Sequence, residues 1–128
     1  MSDARLSPLG RLEKLLDYYE SAFKKSGATL GCPIANLSLE LADNNERLRE
    51  RLRIAVETRI VQIESCLEEA KTSRQLPAEL NTADTARFIF HGLEGAILHM
   101  KVAKSIEPIR TFRRYLSAYL KGKNKTHA

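Results

Sequence analysis

The stretch from Thr82 to Leu120 constrains the fold most, because it predicts two helices with more apolar surface than one small domain buries. Thr82 is a plausible N-cap of the first helix, and Asp84 suits the positive end of its dipole. From there to Lys104, apolar and small residues surround nearly the whole helix, which predicts burial on several sides. Pro108 opens the second helix, where proline is tolerated. The stretch therefore predicts a helical hairpin with a large apolar surface.

Two glycines inside the first helix predict close packing against another helix. Gly92 and Gly95 each cost about 1 kcal/mol relative to alanine in a helix interior, and close backbone approach is the benefit they offer there. We therefore expect the hairpin to build a dimer interface as well. The residues predicted to lie in this interface are Phe88, Gly92, Gly95, Ala96, His99, Ile109, Phe112, Tyr115, Leu116 and Tyr119.

Helical patterns also cover the rest of the chain, and no strand-like alternation persists anywhere. Ser7 and Pro8 form a helix start, and Asn45 ends a cap cluster before a long amphipathic segment without glycine or proline. These patterns predict an all-α fold, a five-helix bundle formed by residues 1–128 as one domain. The predicted helices cover residues 7–25, 32–43, 46–71, 82–104 and 108–120.

Composition and charge exclude several classes of protein. The 128 residues are enough for a core without disulfides or metal, and Cys32 and Cys66 are expected to be reduced thiols. No apolar run reaches the eighteen or so residues needed to cross a bilayer, and the polar N-terminus lacks a signal-peptide core, so we expect a cytoplasmic protein without membrane contact. The net charge of +5 partly reflects a basic tail after Leu120, which we interpret as solvated.

Two short stretches identify a family when they occur together at this distance. They are Gly31-Cys-Pro-Ile-Ala-Asn-Leu-Ser-Leu-Glu-Leu-Ala-Asp43 and Gly92-Leu-Glu-Gly-Ala96. With the order of the helices, they resemble the C-terminal half of TetR/AcrR-type transcriptional regulators. The resemblance implies a homodimer whose last two helices form a four-helix bundle with a second copy. It also implies a cavity for a small apolar or amphipathic effector, whose binding would release the full-length repressor from DNA.

The resemblance also implies a part that we do not expect in this chain. Family members begin with a helix-turn-helix head that reads DNA, whereas Ser7 and Pro8 correspond to the start of the effector domain. We therefore expect DNA binding only through an N-terminal domain outside this chain. In a complete regulator, the effector would favour a helix arrangement that spaces the two heads wrongly for the operator.

The candidate ligand-binding residues combine predicted cavity walls with a few polar anchors. Cys32 lies at a helix N-terminus that favours thiolate, although a packing role is the alternative. His91 and Glu94 lie one turn apart and either contact the effector or form an exposed edge with Arg87. The candidates are Tyr19, Phe23, Cys32, Asn36, Leu37, Ile63, Phe90, His91 and Glu94.

Two other classes of function compete with effector binding. An enzyme would need more than Cys32 and a histidine, because no third orienting group or phosphate-binding loop is visible, so we expect no catalysis. We expect no cofactor, and a metal site at His99 would need ligands that the sequence does not offer. The remaining alternative is a free-standing helical dimer that binds a ligand or pairs with a full-length regulator.

Overall fold

The computed structural model describes residues 5–26 and 44–126, and it is all-α within those ranges. Four helices lie there: α1 (Pro8–Ser26), α2 (Glu46–Thr72), α3 (Thr82–Ala103) and α4 (Glu107–Thr126). The all-α prediction is confirmed. The fifth predicted helix, over residues 32–43, lies outside the described ranges. None of the four helices is long and apolar enough to cross a bilayer.

All four helices begin where a short polar side chain accepts a hydrogen bond from the first turn, and at α4 the Ser105 hydroxyl accepts from the Glu107 amide at 3.1 Å. The Ser7 hydroxyl accepts from the Gly10 amide at 3.0 Å, and the Asn45 side chain accepts from the Leu48 amide at 3.0 Å. The Asn81 side chain accepts from the Asp84 amide at 3.0 Å. Each bond satisfies an amide that has no partner within its helix, which is why these positions start helices.

Both ends of the predicted hairpin differ from the sequence-based expectation. Asn81, rather than Thr82, caps α3, because Thr82 is buried and its hydroxyl donates to the carboxylate of Glu68. At the other end, α4 continues to Thr126 instead of stopping at Leu120. The exposed Lys121 and Lys123 remain on the helix, where positive charge suits the C-terminal end of the dipole.

The helices pack in the order of the chain, with α1 against α2, α2 against α3, and α3 against α4. Their facing sides form one continuous apolar core. The largest fully buried side chains are Leu16, Ile63, Leu67, Ile89, Leu93, Met100 and Ile109. This arrangement leaves one side of α3 and α4 outside the core, and it leaves α1 facing α4 without close backbone packing.

Candidate functional site

The predicted ligand-binding residues fall into three groups in the structure. Phe23, Ile63 and Phe90 are buried together in the core, and Tyr19 packs against it. His91 is exposed, but its ring lies edge-on to that of buried Phe90, with the centroids 6.2 Å apart, and Glu94 is half-buried. The remaining candidates, Cys32, Asn36 and Leu37, lie outside the described residues. The aromatic candidates Phe23, Phe90 and Tyr19 therefore pack in or against the core.

The predicted dimer-interface residues divide into a buried set and an exposed set. Ala96, Ile109 and Leu116 belong to the core of the chain itself. Gly92 and Phe112 are half-buried, and the other five residues are exposed. The exposed residues are Phe88, Gly95, His99, Tyr115 and Tyr119. The chain therefore covers part of the predicted interface with its own helices and exposes the rest.

An apolar surface on α3 and α4 remains exposed, and we call it the hairpin face. The exposed fraction is 59% for Phe88, 76% for Val102 and 72% for Tyr115. The rings of Phe88 and Tyr119 have centroids 6.3 Å apart, which joins the two helices across this surface. The hairpin face consists of Phe88, Gly95, Leu98, His99, Val102, Tyr115 and Tyr119. Leu98 and Val102 were not predicted as interface residues, although they share a helical row with Phe88 and Gly95.

A groove of about 470 Å³ runs between α3 and α4 along the two glycines. A Cβ atom added at Gly92 would lie 2.4 Å from Cε1 of Phe112, so the missing side chain lets this ring approach α3. A Cβ atom added at Gly95 would meet nothing within 4 Å. Gly92 therefore belongs to packing within the protomer, whereas Gly95 leaves space that is open in the protomer.

A second cavity, of about 660 Å³, lies between α1 and α4. Its apolar part comes from Leu9, Leu12 and Leu120, and its polar part includes Gln75 and several charged side chains. The volume lies within the range of about 300 to 1,000 Å³ that is usual for small-molecule sites. We call this space the α1–α4 cavity.

Arg113 connects the two walls of the α1–α4 cavity. Its guanidinium lies 2.7 Å from a carboxylate oxygen of Glu13, 2.7 Å from one of Asp17 and 3.3 Å from one of Glu20. Burial disfavours the charge of Arg113, but its hydrogen bonds with Glu13 and Asp17 outweigh that effect and raise its pKa. Arg110 adds a longer contact with Glu20, at 3.8 Å. Ion pairs, rather than close backbone packing, therefore join α4 to α1.

Prediction from the sequence missed the residues of this cavity. The signal was present, because Glu13, Asp17 and Glu20 recur at steps of four and three and so share one face of α1. Arg110 and Arg113 form a matching basic row on α4. The sequence of neither helix indicates that the acidic row of α1 faces the basic row of α4. The contact between these two helices therefore could not be predicted from the charges alone.

The family of the chain follows from a comparison with protein-family models. The model described as the tetracyclin repressor-like C-terminal domain matches residues 8–116. The chain belongs to this family. That confirms the resemblance found in the sequence, and it places the structure in a class of regulator domains that are not enzymes.

Individual relatives of this tetracyclin repressor-like domain are regulators too. This chain is 28% identical over 112 residues to the HTH-type transcriptional repressor DhaR from Mycobacterium sp., and the match covers 88% of this chain and 54% of that protein. It is 29% identical over 112 residues to the transcriptional regulator AcuR from Cereibacter sphaeroides, covering 88% of this chain and 51% of that protein. The chain thus spans about half the length of the curated relatives it matches.

The fold of the tetracyclin repressor-like domain also matches a solved structure. The crystal structure of regulatory protein TetR from Rhodobacter sphaeroides superposes with a TM-score of 0.83 at 28% identity. The match covers 88% of this chain and 60% of that chain. Within the described ranges, no group of three or more histidine, cysteine or acidic side chains is arranged to hold a metal ion.

Proposed function

We propose that this chain is the effector-sensing and dimerisation part of a TetR-type transcriptional repressor. The observation that carries the proposal is the hairpin face, an apolar surface on two adjacent helices that the protomer leaves in water. Large exposed apolar patches usually mark interaction sites. A two-fold axis would place the same surface of a second copy against it, burying Phe88, Val102 and Tyr115.

The effector in this proposal is a small apolar or amphipathic molecule that binds among the helices. Effector binding acts by population shift between two arrangements of the helices. A ligand shifts that equilibrium only as far as its affinities for the two arrangements differ. Coupling of this kind is usually worth about 1 to 3 kcal/mol. In the complete regulator, the shift would change the spacing of the two DNA-reading heads and release the repressor from DNA.

Replacement of Gly95 by leucine tests the pairing through the hairpin face. A Cβ atom at this position meets nothing within 4 Å in the protomer, so Gly95→Leu should leave the fold intact and obstruct only a partner. We expect its dimer dissociation constant to rise at least about tenfold, as for a clash costing 1.4 kcal/mol or more. Native mass spectrometry over a concentration series measures this constant, and circular dichroism checks the helix content.

The matched control places a leucine on an exposed position of another helix. Ser65 lies on the surface of α2, and Ser65→Leu should leave the dimer dissociation constant unchanged. A wild-type chain that stays monomeric at high micromolar concentration would contradict the pairing proposal. So would a Gly95→Leu chain that dimerises as tightly as wild type. Native spectra of the purified chain would also reveal a co-purified effector as a defined extra mass.

A further inference from the structure

Among the lining residues of the α1–α4 cavity that the structure describes, cations outnumber carboxylates. The cations among the lining residues are Arg110, Arg113, Arg114 and Lys121, and the carboxylates are Glu13 and Glu20. Arg113 and Arg110 already form ion pairs with acidic side chains of α1, which are Glu13, Asp17 and Glu20. Two cations thus remain beyond the carboxylates that line the same space.

The two remaining cations lie on one face of α4. Arg114, Ser117 and Lys121 are separated by steps of three and four, so they lie in one row along the helix. Within residues 5–26 and 44–123, the side chains of Arg114 and Lys121 have no hydrogen-bonding or ion-pair partner. The cavity therefore combines two available positive charges with a hydroxyl between them.

Both helices also contribute apolar side chains to the cavity lining. Leu12 and Leu120 are core residues whose surfaces reach the cavity, and half-buried Leu9 extends this surface along α1. A hydrocarbon that covers these leucines removes apolar surface from water, which favours its binding. A ligand that matches these leucines and the two cations needs an apolar body and a negative end group.

We propose that the α1–α4 cavity binds an amphipathic organic carboxylate. The hydrocarbon part lies on Leu9, Leu12 and Leu120, and the carboxylate lies between Arg114 and Lys121. A guanidinium presents paired donors that match a carboxylate, and the hydroxyl of Ser117 supplies a further donor. This inference rests on the proposed effector-sensing function, because it names the chemical class and the site of the effector.

Decanoate is a suitable probe, and isothermal titration calorimetry of the full 128-residue chain measures its affinity. Decanol has the same chain length without charge, and decyltrimethylammonium carries the opposite charge. We expect saturable binding of decanoate and at least about tenfold weaker binding of both comparators, as for loss of charge-assisted hydrogen bonds worth 1.4 kcal/mol or more. Equal affinity for decanoate and decanol would overturn the assignment of an anion site.

A pair of variants locates the binding site. Arg114→Ala combined with Lys121→Ala removes two exposed side chains and should weaken decanoate binding at least about tenfold while leaving decanol unchanged. Arg47→Ala combined with Arg51→Ala removes the same charge from the exposed surface of α2 and should have no effect. Decanoate affinity that is unchanged in the cavity variant, or equally reduced in both, would overturn the site.

The failure of this inference is distinguishable from failure of the proposed function. If decanoate fails to bind but the chain is a dimer that holds a neutral apolar molecule, only the carboxylate site is wrong. A chain that is monomeric and binds no small molecule would overturn both proposals.

Discussion

Gly92 and Gly95 are three positions apart on α3, yet they meet different surroundings. Phe112 occupies the space that a side chain at Gly92 would need, whereas the space beside Gly95 is open in the protomer. A substitution at Gly92 therefore acts on the packing of α3 against α4. A substitution at Gly95 acts first on whatever covers the hairpin face.

Replacing Gly92 by alanine should destabilise the protomer. The new methyl group would lie 2.4 Å from Cε1 of Phe112, so the ring must move, and overpacking of this kind costs about 1 to 3 kcal/mol. The better helix propensity of alanine offsets up to about 1 kcal/mol of that cost. Urea denaturation followed by circular dichroism measures the change in the free energy of unfolding.

Gly122→Ala is the comparison variant, in which the free energy of unfolding should change in the opposite direction. Gly122 lies within α4, and an added Cβ atom there meets nothing within 4 Å. The free energy of unfolding should rise by up to about 1 kcal/mol, because alanine has less conformational freedom to lose. A Gly92→Ala protein as stable as wild type would mean that Phe112 yields without cost.

The two glycines also mark where prediction from the sequence stops. Their spacing predicted close backbone approach of another helix at both positions, whereas within the chain Gly92 meets the side-chain ring of Phe112 and Gly95 meets nothing within 4 Å. Residues three apart on a helix differ by about 60° around its axis, so they need not meet the same neighbour. The position of α4 decides which one contacts Phe112, and that position depends on the whole core.

At the scale of the helix, the ends were mostly predictable because they depend on local chemistry. Ser7 and Asn45 precede their helices as expected, and Pro108 lies in the first turn of α4. The start of α3 was misassigned by one residue, since asparagine and threonine both make good caps. The hydroxyl of Thr82 is engaged with Glu68 on α2, so Asn81 is the cap. This contact is tertiary, and the local sequence does not reveal it.

Removal of the Asn81 cap should destabilise α3 and hence the fold. The Asn81 side chain accepts from the Asp84 amide at 3.0 Å, and its amide group donates to the Asp84 carboxylate at 3.1 Å. Asn81→Ala should lower the free energy of unfolding by about 1 kcal/mol. Chemical denaturation measures the loss, and Asn81→Ser, which retains an accepting oxygen without placing a second carboxylate beside Asp84, should recover most of it.

The same measurement on Thr82→Val separates the two candidate caps. Valine keeps the size of Thr82 but removes the hydroxyl that donates to Glu68. If Thr82 were the cap, this change would imitate the loss expected at Asn81 and Asn81→Ala would be neutral. That pattern would contradict the observed start of α3.

At the scale of the whole molecule, Cys66 reports on opening of the core. Its side chain is 3% exposed, and burial raises the pKa of the thiol, although the positive charge of Arg11 opposes the rise. A buried neutral thiol is a poor nucleophile, because the thiolate is the reactive form. Alkylation of Cys66 therefore requires the helices to separate.

This burial predicts how stability depends on pH. An unfolded cysteine ionises near pH 8.5, and the folded thiol ionises only at higher pH, so above about 8.5 the folded state binds more protons than the unfolded state. The contribution of the buried Cys66 thiol to the free energy of unfolding is therefore complete below about pH 8.5, and it is lost as the pH rises further. In a Cys32→Ser background, the free energy of unfolding should fall from pH 8 to pH 10, and additional Cys66→Ala should reduce the fall.

Alkylation by iodoacetamide gives an independent check in the same background. At pH 7 the native protein should react far more slowly than the protein in urea, and the ratio should follow the free energy of unfolding. Rapid labelling of the native protein would contradict the burial of Cys66 in α2.

The functional surfaces were less predictable than the helices because each involves two elements. The aromatic side of α4, with Tyr115 and Tyr119, was expected at an interface, and the structure leaves both residues exposed. On the basic side of α4, only the tail after Leu120 was interpreted, as solvated charge, and the arginines were assigned no role. The role of that side depends on α1, and local sequence carries no information on which distant helix faces it.

The contacts between Arg113 and α1 also bear on how the molecule folds. Each helix packs on its neighbour in the chain, so most contacts are local and favour rapid folding. Arg113 and Glu13 are instead 100 residues apart, and closing so long a loop costs entropy that is recovered only when both helices are in place. These ion pairs should therefore form late, after the folding transition state. They would set how long the native state survives, rather than how quickly it is reached.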